Sequence, residues 1–128
     1  MSKSAYRNLI AWQRARALVR LAYKLTNSLP QREQYGLTAQ IRRASTSVPL
    51  NIAEGSGRLT VGEWQQFLGY ARGSLLELES GLIIAFDLGY VTADELRLVG
   101  ESIRSVIRLV NGLPKSEHEE FSYKEVCA

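Results

Sequence analysis

The chain has 128 residues, 45% of them apolar and 23% charged, with one cysteine and a formal net charge of +3. Those figures fit a single domain with a core of its own, and they exclude a disulfide framework or a cysteine-based metal centre, because Cys127 has no second thiol to join. Charged residues interrupt every apolar stretch before the roughly 18 residues of a membrane span, and MSKSAYRNLIAWQRAR has no signal-like apolar run, so the expectation is a cytoplasmic protein with no membrane partner.

The first helix is expected from about Tyr6 to Ser28. Leu9, Trp12, Ala15, Val19, Ala22 and Thr26 recur at helical spacing, Leu18, Leu21, Leu25 and Leu29 lie beside them, and Pro30 closes the pattern. The second is expected from about Glu33 to Ser56. Its apolar row Leu37, Ile41, Ala44, Val48, Ile52 runs beside a polar row Gln40, Arg43, Ser47, Asn51, Glu54, one row to each face. Pro49 stands inside this pattern. It removes the bond to the Ser45 carbonyl and crowds that group, roughly 3 kcal/mol if uncompensated, which predicts a kink. Ser45, Thr46 and Ser47 supply hydroxyls that can bond freed carbonyls. Gly55-Ser-Gly57 predicts termination through a left-handed glycine.

Thr60-Val-Gly-Glu63 has the capping-box form and opens a third helix that ends at Gly89. Its apolar arc holds Leu68, Ala71, Leu75, Leu78, Leu82 and Ala85 on one stripe and Phe67, Tyr70, Ser74, Gly81, Ile84 and Leu88 on another, wider than one bundle seam needs. Gly69, Gly73 and Gly81 form a row at multiples of four, each costing roughly 1 kcal/mol against alanine, for which close approach of another backbone is the usual compensation. Arg72, Glu77 and Glu79 interrupt the segment, so it is not a membrane pattern. Thr92-Ala-Asp-Glu95 repeats the capping signal and opens a fourth helix with the seam Leu96, Val99, Ile103, Val106, Val110, Leu113, ended by Pro114. There is no strand alternation and the connections are short. The expected fold is all-α, an antiparallel up-and-down four-helix bundle over residues 1–115, with a polar acidic tail over 116–128.

Catalytic sets do not assemble from these residues. His118 is isolated in the tail, Glu77 and Glu79 point about 200° apart on one helix, and Gly55-Ser-Gly57-Arg58 follows a helix and lacks the Gly-Lys-Ser/Thr of a phosphate loop. No cofactor or metal motif is present. Charge is the stronger signal: residues 1 to 60 hold ten Lys/Arg against Glu33 and Glu54, a balance of +8, while residues 61 to 128 hold six against eleven Asp/Glu, a balance of −5. Such halves neutralise each other within or between subunits, or leave a basic face for an anionic polymer. Arg42 and Arg58 are the candidate nucleic-acid contacts. Gln40, Arg43, Ser47, Asn51, Glu54, Arg72 and Glu77 are the candidates for a polar network between helices or subunits. Trp12, Trp64, Tyr35 and Tyr70 read as core or interface residues rather than base-stacking platforms.

Taken together, Leu9-x-x-Trp12, Tyr35-Gly-Leu-Thr-x-Gln40-Ile-Arg-Arg-Ala44, Ser47-Val-Pro-x-Asn51-Ile-Ala-Glu-Gly55, Gly57-Arg58, Gly73-Ser74, Glu77-Leu78 and Leu88-Gly-Tyr90 resemble the bacterial four-helix-bundle family, also called the 23S rRNA intervening-sequence protein family. The resemblance spans about residues 6 to 114. It implies a bundle that assembles as a ring, a homopentamer, and a fold similar to the basic, pentameric accessory protein of diversity-generating retroelements, which binds reverse transcriptase and nucleic acid.

The expected function is therefore non-enzymatic: a subunit of a ring-like homo-oligomer whose basic face engages RNA, DNA or a ribonucleoprotein. A protein-only oligomeric scaffold, its arginines consumed in ion pairs between subunits, is the alternative. An enzyme would need a shared site built from Arg43, Asn51, Glu54 and Glu77.

Overall fold

The computed structural model describes residues 5–114, so His118, Cys127 and the tail over 116–128 lie outside the described residues. Four helices account for most of the chain: α1 Ile10–Thr26, α2 Leu37–Ser56, α3 Val61–Asp87 and α4 Ala93–Asn111. Short 3-10 turns at Ala5–Asn8 and Gln31–Glu33 precede α1 and α2. No strand occurs among the described residues, and no helix there is long and apolar enough to cross a membrane.

Each helix packs on its neighbours in the chain, and α4 closes the ring of contacts against α1. Pairs across the seams run in opposite order. Ile41, Ser47 and Gly55 of α2 meet Gly81, Ser74 and Phe67 of α3, and Arg42 reaches Thr26 and Asn27 at the end of α1. The arrangement is an antiparallel up-and-down four-helix bundle, as the patterning requires. Leu9, Ile41, Val48, Ile52, Trp64, Leu75, Leu78, Leu82 and Ile103 are fully buried at its centre, each side chain worth about 1.5–3 kcal/mol of transfer free energy.

The helix ends are fixed by identifiable bonds. Thr92 accepts from the Glu95 N–H at 3.1 Å and Glu95 accepts from the Thr92 N–H at 2.9 Å, a complete capping box. At α3 only half of that device forms: Thr60 accepts from the Glu63 N–H, while the Glu63 carboxylate lies 3.9 Å from Arg58. After α3, Gly89 takes φ of +80°, and the Tyr90 and Gly89 amides donate to the Ala85 and Phe86 carbonyls.

Several expectations are corrected. The first helix does not run unbroken from Tyr6: Leu9 is extended, with ψ of 127°, and separates the 3-10 turn from α1. Gly57 ends α2 with φ of −91° rather than in the left-handed region. Gly55 is needed for space, since a Cβ there would sit 2.8 Å from Phe67 Cβ. The Ser45 and Thr46 hydroxyls do not bond the carbonyl that Pro49 frees but donate to those of Arg42 and Arg43, one turn earlier, within an α2 whose helical span includes Pro49. Of the glycine row, only Gly81 is packed on a neighbour, with Ile41 Cγ1 3.0 Å from its Cβ position. Gly73 has nothing within 4 Å. Trp64 is core as expected, whereas Tyr35 is 91% exposed and takes no part in the core of the subunit.

Candidate functional site

α1 carries Arg14, Arg16, Arg20 and Lys24, all exposed, and no carboxylate; the first acid in the whole chain is Glu33. Residues 16, 20 and 24 stand in one row, one turn and about 6 Å apart. Like charges at that spacing disfavour a helix by roughly 0.2–0.5 kcal/mol per pair. The ion pairs among the described residues lie elsewhere: Arg58 with Glu54 and Glu63, Arg97 with Asp94 and Glu101, and Arg104 with Glu79. The hydrogen bond to Asp94, then the charges of Asp94 and Glu101, raise the pKa of Arg97, a cation already matched on its own helix. Glu33 is also occupied, accepting from Tyr90 Oη at 3.0 Å and from the Leu37 N–H at 3.3 Å. The charge of α1 therefore faces solvent without a counter-charge within salt-bridge distance among the described residues.

Aromatic rings border this row on the side of α2. The Arg16 guanidinium lies 4.8 Å from the centroid of Trp12, and that of Arg42 lies 4.7 Å from Tyr23. Trp12, Arg16, Val19 and Tyr23 follow the spacing of one helical stripe. Arg16, Val19 and Arg20 line a shallow depression with Pro49 of α2. On the other flank a groove of about 400 Å³ separates Arg14 and Leu21 from Glu101 and Ser105 of α4.

Arg42 and Arg58, the candidate nucleic-acid contacts, do not lie side by side. They stand 16 residues apart, about 24 Å at helical rise. Arg42 borders the α1 face, and its Nε donates to the buried Thr26 hydroxyl at 2.8 Å and its Nη2 to Asn27 Oδ1 at 3.2 Å. Arg58 is held by Glu54 at 2.6 Å and over the Phe67 ring at 4.8 Å. The polar row is partly a network. Gln40 donates to Glu77 at 2.7 Å and accepts from Arg43 at 3.0 Å; Ser47 shares a hydrogen bond with Ser74 at 2.7 Å and accepts from Asn51 at 2.8 Å. Arg72 joins none of these bonds. Arg43, Asn51, Glu54 and Glu77, the set that an enzyme would need, are thus distributed over three separate groups of bonds.

The outer side of α3 is the second notable surface. Leu76 and Ile83, one heptad apart, are 57% and 44% exposed; Tyr70, Ile84 and Leu88 are also exposed, about 80–140° further round the helix, with Gly73 open between. Neither this surface nor the α1 row needed a hidden signal. The row is legible in the absence of any acid before Glu33, but its cations are scattered among apolar residues and resemble ordinary solvated positions.

The family model described as 23S rRNA-intervening sequence protein matches residues 7–112. No curated protein matches the chain.

Proposed function

The chain belongs to the 23S rRNA-intervening sequence protein family, and we propose that it works by binding rather than by catalysis: as a homo-oligomeric bundle, five subunits in the ring that the resemblance implies, with the α1 face engaging RNA or DNA. One observation carries the nucleic-acid reading: Arg14, Arg16, Arg20 and Lys24 crowd an exposed helix that has no carboxylate and makes no ion pair among the described residues. A phosphate backbone relieves that repulsion and releases counterions. Repetition around a ring turns weak contacts into avidity. The exposed apolar side of α3 supports self-association, because burying Leu76 and Ile83 against a second copy removes apolar surface from water.

Filter binding at low and moderate salt tests the reading. Wild-type protein should retain unrelated oligonucleotides with similar, salt-sensitive affinity, and Arg16→Glu/Arg20→Glu should lose most of it. Undetectable binding by the intact wild-type protein at low salt leaves the alternative, a protein-only scaffold acting through α3.

A further inference from the structure

The α1 face can be taken one step further, on the premise that it binds nucleic acid at all. We infer that its ligand is a single-stranded polynucleotide rather than a duplex.

Arg16, Arg20 and Lys24 form one line along one helix, and that helix is flanked by α2 on one side and α4 on the other. It cannot project into a major groove as a recognition helix does. A line of charges one turn apart instead follows a single backbone. Beside the line are flat groups that a duplex has no use for, because its bases are already stacked. The Arg16 guanidinium lies against Trp12, and that of Arg42 lies against Tyr23, which is itself 40% exposed. Past Lys24 the chain turns a corner, and there the Tyr35 ring is 91% exposed, contributing almost nothing to the packing of its own subunit. Arg42, which lies on the Tyr23 ring, also lines a hollow of about 230 Å³ with Asn27, Gln31 and Gln34, the last adjacent in sequence to Tyr35, offering amide and guanidinium groups to the edge of an unpaired base. The basic row leads past Tyr23 to Arg42 and the polar hollow, with the open Tyr35 next in sequence to Gln34 of that hollow, which is the combination that holds single strands.

Fluorescence anisotropy on the full chain decides it, using one mixed-sequence oligonucleotide, alone and annealed to its complement, each as RNA and as DNA, at one low salt concentration. The strand should bind about tenfold or more tighter than the duplex in both chemistries. Tyr35→Ala, at a position that the fold does not pack, should weaken strand binding by between about fivefold and a hundredfold and leave duplex binding unchanged. Tyr23→Leu, which keeps apolar bulk, should act in the same direction, with helical content checked by circular dichroism. Duplex binding as tight as strand binding overturns the inference. If Arg16→Glu/Arg20→Glu still abolishes that duplex binding, the basic-face reading survives alone. A strand preference untouched by both tyrosine variants, or confined to one sugar type, overturns the stacking assignment. No binding of either form overturns the inference and its premise together.

Discussion

The indole Nε1 of Trp64 donates to the carbonyl oxygen of Pro114 at 2.8 Å, tying the first turn of α3 to the chain just beyond α4. The ring is fully buried, so this polar atom has its partner inside the protein and not in water. Antiparallel packing places the start of one helix beside the end of the next, and the bond turns that adjacency into a closed corner.

Trp64→Phe should keep most of the apolar contact and leave the Pro114 oxygen without its donor. The expected loss is about 1–3 kcal/mol, for the unmet hydrogen bond and the smaller ring together. Urea denaturation checks it: the midpoint should fall while the slope of the transition stays constant, since the surface exposed on unfolding barely changes.

Gly55 and Gly73 should respond to alanine with opposite signs. At Gly55 a new Cβ would lie 2.8 Å from Phe67 Cβ and 3.1 Å from the Trp64 ring, so the α2–α3 seam must open, at about 1–3 kcal/mol. At Gly73 nothing lies within 4 Å, and the gain in helix propensity is worth up to about 1 kcal/mol to the isolated subunit. If association uses this part of α3, Gly73→Ala should also shift sedimentation toward smaller species. Chemical denaturation and sedimentation velocity on the same samples separate the two effects.

Both glycines are visible in the sequence, but their environments are not. Helix count, caps and core rows can be read because local spacing decides them: Thr92 and Glu95 are three residues apart whatever surrounds them. The adjacent arginines show where that logic stops. A step of 100° along α2 sends Arg42 across to Thr26 and Tyr23 of α1 and leaves Arg43 on Gln40. Only the position of α1 distinguishes them. The spacing of Tyr35 suits a packed helical position, yet α2 begins at Leu37 and the ring stays outside. The sequence shows a stretch without acids, but which of its cations stay unmatched depends on packing: Arg58 gains acids from Glu54 and Glu63 once the chain folds, while Arg16 and Arg20 gain none among the described residues.

Leu76→Glu/Ile83→Glu should act on assembly more than on folding. Both positions face outward in the subunit, and exposed substitutions there cost within about 0.5 kcal/mol. Two carboxylates placed in an apolar contact between copies would have to be buried unpaired. Light scattering should show the wild type well above the mass of one subunit and the variant close to it, with unchanged helical content. A wild-type mass equal to one subunit at micromolar concentration would refute self-association outright.

Charge reversal distinguishes the α1 row from Arg42 of α2 and Arg58 just beyond its end. Removing one phosphate-binding cation should reduce the slope of log affinity against log salt by about 0.7–0.9, so Arg16→Glu/Arg20→Glu should flatten it by roughly 1.4–1.8, and similarly for unrelated sequences. Arg42→Glu/Arg58→Glu should change the slope less, because Arg58 already faces Glu54 and Glu63 while Arg42 spends two of its N–H groups on Thr26 and Asn27. That pair should instead lower stability, since the Thr26 side chain is buried and loses its donor. Measuring both slopes at matched protein concentration, with thermal unfolding of each variant, locates the interface. An unchanged slope for the α1 pair, together with a flattened one for Arg42→Glu/Arg58→Glu, would move it off α1 and onto the two arginines that the sequence pattern favours.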